Sequence, residues 1–346
     1  MEGLRSNSPA CQFIADHLGE DKFTLVDVGC SGGIDAIWRM FGTRLAAFGF
    51  DPNIRECDRL NAAEMLPGVK YIPAFVGLPS DDPVVQRRGG RPYVQRNPWN
   101  RLSVARTVAL REMRNPSRSV EELTAENQWN RVSLADPATP IILSDFFSIN
   151  SISDIDMIKI DVDGPDFDIL QSLSDNLQSC NVLALGLEVN FVGSADDTDH
   201  TFCNTDRFMR AHGFDLFYLT ARPYSRAALP APYQLSIPAQ TQYGQPLQGD
   251  ALYARDVCQP GVVEFSRELR PAKLAKLATI FASMGLFDCA AEVFLTYRDR
   301  LRALLDIDTA LDLLCSEAQN RRQPLLSYRD YIAAFERDDP MFYPRD

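Results

Sequence analysis

Asp27 stands two residues ahead of Gly29, and Cys30-Ser31-Gly32-Gly33 complete a short glycine-bearing loop. About 20 residues past those glycines comes Asp51, a spacing at which a carboxylate can accept hydrogen bonds from both hydroxyls of a ribose. Three further acids, Asp161, Asp163 and Glu188, close later apolar runs. Acids in such places can take a proton from a weak nucleophile or share a divalent cation. They are therefore the candidate catalytic residues and the candidate metal ligands. Each also has a structural alternative: Asp161 as a helix cap, Asp163 as a turn-fixing residue, and Glu188 as an ion-pair partner of Lys159. His200 follows the acidic run Asp196-Asp197-Thr198-Asp199 and reads as a surface histidine on a polar loop, with a base or metal ligand as the alternative.

These residues need a scaffold that brings strand ends together. Residues 24–28 are apolar and β-branched apart from Asp27, and read as a buried strand. The glycines open a turn, and residues 34–41 continue with helical spacing, so the segment reads as a strand, a turn and a helix. Residues 45–50 form the second strand, ending at Asp51, and residues 69–76 the third. A dinucleotide loop would read G-x-G-x-x-G, whereas Ser31 occupies its second glycine position here. Asp27 would repel a pyrophosphate and suits a cationic, amine-bearing ligand. S-adenosylmethionine carries an ammonium, a sulfonium and a ribose but no phosphate, and is the expected cofactor. Its contacts are assigned to Asp27, Gly29, Cys30, Ser31, Gly33 and Asp51, with Phe75 flanking the adenine.

The alternation of strands and helices resumes at residue 141. Residues 155–160, 182–187, 214–219 and 252–254 read as further strands, and Pro165 as the first residue of a helix reaching residue 177. Seven strands with intervening helices predict an α/β fold, a doubly wound and mostly parallel sheet with its ligand crevice at the strand C-termini. Residues 9–17 read as a helix capped by Ser8. Beyond residue 260 the pattern is all-helical, with Leu274, Leu277, Ile280, Phe281 and Met284 on one face that must be buried. The expected division is 1–258 for the sheet domain and 259–346 for a helical extension.

Charge is segregated. The chain of 346 residues has a net charge of -12, yet residues 87–118 hold nine arginines and one acid, Glu112. The segment at about 80–140 breaks the strand–helix alternation and reads as an insertion covering an acceptor, with Arg96 and Trp99 as acceptor-binding residues and Asn190 beside them. The overall negative charge argues against nucleic acid and anionic membrane as partners. No apolar run reaches membrane-spanning length and no signal peptide is read at the start. Eight scattered cysteines without a C-x-x-C pair read as reduced core thiols of a cytoplasmic protein.

Three stretches resemble the FkbM family of S-adenosylmethionine-dependent methyltransferases. Leu25-Val-Asp-Val-Gly29 is similar to its first glycine motif, and Phe48-Gly-Phe-Asp51-Pro to its ribose-binding segment. Ile158-Lys-Ile-Asp161-Val-Asp163-Gly164 is similar to its K-I-D-V-E-G stretch, the most specific of the three, with Asp163 one methylene shorter than the family's Glu. Leu187-Glu188-Val189 resembles the acidic end of its next strand. Cys30-Ser31 departs from the Ala-Asn frequent there. The resemblance covers about residues 20–256 without most of the insertion. It implies a class I, Rossmann-like methyltransferase fold and O-methylation of a hydroxyl, often on a sugar, in a natural product or surface glycan. A small-molecule or glycan acceptor is the expected partner, with a homodimer as an open arrangement. An NAD(P)-linked sugar oxidoreductase and a non-catalytic scaffold presenting the C-terminal helices remain the alternatives.

Overall fold

The computed structural model describes residues 8–78, 81–87, 139–162, 164–224, 244–259, 268–319 and 325–337. Arg96, Trp99, Asp163 and most of the arginine-rich segment lie outside them. In chain order the elements are α1 (Pro9–Asp16), β1 (Phe23–Val28), a 3-10 segment (Ala36–Arg44), β2 (Leu45–Asp51), α2 (Ile54–Ala63), β3 (Val69–Val76) and α3 (Pro83–Arg87). They continue with β4 (Thr139–Ile141), α4 (Leu143–Ile149), β5 (Met157–Ile160), α5 (Asp166–Ser172), α6 (Asn176–Ser179), β6 (Ala184–Asn190) and α7 (Phe202–Ala211). β7 (Asp215–Leu219), β8 (Arg222–Tyr224) and β9 (Gln245–Ala254) complete the strands. The last helices are α8 (Pro271–Ser283), α9 (Phe287–Thr296), α10 (Arg298–Leu301), α11 (Ile307–Gln319) and α12 (Tyr328–Glu336).

The chain divides into two compact units: one takes in Leu25–Ile34 and Ala47–Arg255, the other Gly3–Thr24, Asp35–Ala46 and Asp256–Asp346. The first unit is built on the sheet. The strand order is β4-β3-β2-β1-β5-β6-β9-β7, with β8 paired to β9. Pairs β1–β5, β2–β3, β3–β4 and β5–β6 are parallel, and β9 runs antiparallel to β6, β7 and β8. The mostly parallel, Rossmann-like sheet is the α/β fold expected, and the seven anticipated strands are joined by the three-residue β4 and β8. Side chains buried on both faces are what the apolar runs of β1, β5 and β6 dictate. All seven residues of β6 are buried. Val26, Val28, Ile158, Ile160, Leu185 and Leu187 lie in one core cluster, each contributing about 1.5–3 kcal/mol on full burial.

The second unit is helical. Ser8 caps α1 by accepting from the amide of Cys11, as its position before Pro9 suggests. Phe23 stacks on Trp38 and Phe41 at centroid distances of 5.2 and 4.2 Å. In α8, Pro271 occupies the first turn, and Leu274, Leu277, Ile280, Phe281 and Met284 are all buried, as their shared face requires. Gly285, at φ +77°, ends the helix.

Two helices differ from expectation. Residues 36–44 wind as a 3-10 segment rather than an α-helix: Asp35 holds the amide of Ile37 at the start, and Gly42, at φ +54°, breaks the run before the strand. The helix after Pro165 stops at Ser172 and restarts at Asn176. The hydroxyl of Ser172 donates to the Ile169 carbonyl at 2.6 Å, and the Ser-Leu-Ser-Asp run offers side-chain competitors to the helical ladder.

Candidate active site

The strand order reverses between β1 and β5. From β1 the chain moves outward through β2, β3 and β4, then returns to place β5 on the other flank of β1. In open parallel sheets the ligand crevice forms beyond the carboxyl ends of the strands at this point. Gly29 and Asp161 directly follow β1 and β5, which border it, and Asp51 is the last residue of β2, the strand beside β1. Gly29 is at φ +86°, and a Cβ there would lie 1.8 Å from the Asp161 carbonyl oxygen, so the loop presses on the end of β5 as only glycine allows. The Asp161 amide in turn donates to the Val28 carbonyl at 3.0 Å. Gly33, at φ +95°, leaves room for Leu60 and the Tyr71 hydroxyl.

The loop amides are largely spent within the protein. Gly29 and Cys30 both donate to the Phe50 carbonyl, at 2.9 and 3.1 Å, and Gly33 donates to the Cys30 carbonyl at 2.8 Å. The Gly32 amide reaches the Glu56 carboxylate at 3.3 Å, and the Ile34 amide the Tyr71 hydroxyl at 3.4 Å. A pyrophosphate site depends on free backbone amides at a helix start. Here those donors are engaged and a carboxylate stands among them.

Asp27 and Lys159 are register partners on β1 and β5, and they form an ion pair at 3.1 Å. Lys159 Nζ lies 3.6 Å from Asp161 and donates to the Gly29 carbonyl at 3.3 Å. Burial pushes the Asp27 carboxyl above its ordinary value, with Lys159 opposing it. Burial also works against the Lys159 ammonium, but Asp27 and Asp161 outweigh it and hold its pKa above the usual value. The buried acid that spacing assigns to a cationic ligand thus already has a cation within the fold. Asp161, a third exposed, is the open member of the trio.

Asp166, which the sequence reading passed over, builds the turn after β5. Its carboxylate accepts from the amides of Val162 and Gly164, both at 2.9 Å. That is the turn-fixing work considered for Asp163, and no side chain caps the helix that follows. The signal was an acid in the first turn of a helix that follows a proline. Asp166 lies 3.8 Å from His200, which corrects the reading of His200 as a surface residue: it is 2% exposed. Its Nε2 lies 3.0 Å from the Glu188 carbonyl and so carries the proton. Its Nδ1, 3.2 Å from Asn190 Nδ2, then accepts from that carboxamide in the neutral ring. The acidic loop delivers the ring inward because Asn204 donates to the carbonyls of Asp196 and Asp199.

Glu188 and Asn190 end β6 and are both buried. Glu188 is paired with Arg222 at 3.2 Å and accepts from Gln248 at 3.1 Å, and Arg222 also meets Asp250 at 2.7 Å. Lys159, its anticipated partner, belongs to the β1–β5 pair instead. Among the described residues, no three His, Cys, Asp or Glu side chains are grouped to hold a metal ion, and Asp163 lies outside those residues. Asp51 is nearly buried, and its carboxylate accepts from the Asn53 amide at 2.7 Å. Burial raises its pKa. Ser31 is exposed, and Phe75 is half-buried on β3. Cys30 is buried, and burial drives its thiol well above the ordinary range, which suits packing rather than alkylation.

Residues 111–216 match the methyltransferase FkbM domain. The likeness to the FkbM domain lies in that segment. The match takes in Lys159, Asp161, Asp163, Glu188 and Asn190 but does not reach the Gly29 loop or Asp51. No curated protein matches the sequence. Among solved structures, a precorrin-6y C5,15-methyltransferase from Geobacter metallireducens GS-15 aligns with 74% of this chain and 93% of its own, at 10% identity and a TM-score of 0.30. A TehB-like SAM-dependent methyltransferase from Corynebacterium glutamicum ATCC 13032 Kitasato aligns over 72% and 90%, at 10% identity and 0.29. A SAM-dependent methyltransferase from Aquifex aeolicus aligns over 72% and 94%, at 9% identity and 0.28. Likeness at this level does not bear on the activity.

Proposed function

We propose that this methyltransferase domain binds S-adenosylmethionine at the Gly29 loop and directs its methyl group to a hydroxyl of a sugar-bearing small molecule or glycan. The observation that carries the cofactor assignment is the loop itself. Its amides are bonded to Phe50, Cys30, Tyr71 and Glu56, leaving a poor cradle for the pyrophosphate of NAD(P) or FAD, while Asp51 closes the neighbouring strand where a ribose can be met. In this reading the loop from Gly29 to Gly33 borders the methionine end, Asp51 receives the ribose hydroxyls and Phe75 flanks the adenine. The cofactor supplies an electrophilic methyl on a sulfonium.

The chain must orient and deprotonate the acceptor. Orientation alone can supply roughly 7–11 kcal/mol in favourable cases. Asp161 is assigned as the base because it is the partly exposed carboxylate at the crevice and its turn is pinned by Asp166. Asp163 is assigned beside it, whereas Glu188, enclosed with Arg222, is assigned to hold the β6 end and Asn190 in place. Arg96 and Trp99 are assigned to the acceptor. A sugar hydroxyl matches their guanidinium and aromatic chemistry.

Calorimetric titration with S-adenosylhomocysteine and with NAD tests the cofactor. Binding of the first and not the second is expected, and the reverse result overturns the reading. Asp51→Ala is expected to weaken S-adenosylhomocysteine by about 1.5–3 kcal/mol for each charge-assisted hydrogen bond lost.

A further inference from the structure

The helical unit holds a feature that methyl transfer does not use. Helices α9 and α12 border a cavity of about 940 Å³, with α11 contributing Leu314, Cys315, Ala318 and Gln319 to its lining. From α12, Tyr328, Tyr331, Ile332 and Phe335 line it, at the i, i+3, i+4, i+7 spacing of a single helix face. That face is incompletely covered: Phe335 is 55% exposed, and across the cavity Leu295 of α9 is 43% exposed. A folded chain leaves an aromatic stripe open at a cost unless something covers it.

The rim indicates what covers it. Asp288 and Glu292 lie one helical turn apart on α9, both exposed, where like charges repel. Neither forms an ion pair among the described residues, and no Lys or Arg is among the described residues that line the cavity. A second copy of the chain, meeting the first through the same patch about a two-fold axis, would bring these acids together. A cationic occupant relieves them. The span between two helices over a third suits a helix laid in a groove, read by apolar anchors at one-turn intervals.

We propose that the α9–α12 groove docks a basic amphipathic helix of a partner protein, with its apolar face on Phe335, Tyr331 and Leu295 and its cationic flank on Asp288 and Glu292. The test is calorimetry on the full chain with two probe peptides of the same helical pattern, one of Leu and Lys and one of Leu and Glu. The Lys peptide is expected to bind in the micromolar range and to weaken as salt rises. The Glu peptide is expected to bind at least ~10-fold more weakly, a difference of about 1.4 kcal/mol. Phe335→Asp and Glu292→Lys are each expected to weaken the Lys peptide by ~10-fold or more, while Asp58→Lys, on α2, leaves it unchanged. S-adenosylhomocysteine binding should be the same in all three variants, which separates this proposal from the cofactor assignment. Equal affinity for the two peptides, no binding of either, or indifference to Glu292→Lys overturns it. So does a light-scattering mass that doubles with concentration and returns to the single chain in Phe335→Asp, since the occupant would then be a second copy.

Discussion

Lys159 and Arg222 each stand between two carboxylates, and the two arrangements are built for different ends. At the β1–β5 edge the cation is a lysine, a point charge on a flexible stem, held by Asp27 at 3.1 Å and Asp161 at 3.6 Å. At the β6–β9 edge it is an arginine whose fork reaches Glu188 and Asp250 at 3.2 and 2.7 Å, with Gln248 adding a further donor to Glu188. The second set is closed: both acid side chains are 3% exposed. The first is open on one side, since Asp161 is 34% exposed while Asp27 is 5%. Enclosure with a bidentate partner makes a strut between antiparallel strands. A looser cation with one acid in solvent leaves a carboxylate available to a ligand. The comparison therefore separates Glu188, which has the right type and strand position for catalysis but no access, from Asp161, which has both.

Removing each cation should show the difference most strongly. Arg222→Met strands two enclosed carboxylates and is expected to cost about 3–5 kcal/mol in chemical denaturation. Lys159→Met is expected to cost less, about 1–3 kcal/mol, because Asp161 is solvated and Asp27, with its raised pKa, can take up a proton. Equal losses in the two variants would erase the distinction between strut and site. At the next level down in stability, Asp161→Asn is expected to move unfolding by no more than about 0.5 kcal/mol. It should nonetheless lower methyl transfer to the acceptor by about 10²–10⁴-fold, leaving S-adenosylhomocysteine affinity within a few-fold. Turnover at the wild-type level would return Asp161 to a purely structural role.

The smallest effect is in the pH dependence. Lys159 has a folded-state pKa raised above its ordinary value of about 10.4. The native state then binds that proton more tightly than the unfolded chain, so its stabilising contribution is complete below the ordinary value and is lost as pH climbs through the folded one. As pH rises from neutral, the stability gap between wild type and Lys159→Met should hold until that alkaline window and narrow within it. A gap that closes already near neutral pH would contradict the assignment of a protonated, carboxylate-held lysine.

Much of the sheet was legible in the sequence because its signals are local. Residues 24–28 and 155–160 carry the apolar, β-branched runs of strands buried on both faces, and the Gly29 loop declares a positive φ that the structure requires. The Asp27, Asp51 and Asp161 positions at the crevice follow from the same strands. What spacing did not reveal is who meets whom. Lys159 is visible in the sequence, but the only partner considered for it there is Glu188, as the alternative to catalysis, because sequence order does not tell which neighbouring strand a side chain addresses. Arg222 lies 34 residues beyond Glu188 on a three-residue strand, and no periodicity announces that pairing. His200 sits after four polar residues, yet it is buried because the loop is tied back by Asn204, a contact that local hydrophilicity conceals.

The place of β9 has a consequence for how the chain comes into being. This strand is the last of the sheet to be synthesised, yet it lies between β6 and β7, both made earlier. A nascent chain that has emerged only as far as β8 leaves β6, β7 and β8 without the strand they pair with, and unpaired edges are templates for association. It also holds Glu188 without Gln248, 60 residues later, and Arg222 without Asp250, 28 residues later. The half-made sheet is therefore both sticky and electrostatically incomplete, and a single late insertion resolves both conditions at once. Ribosome pausing before residue 245 should then be tolerated poorly, whereas pausing after residue 254 should not matter.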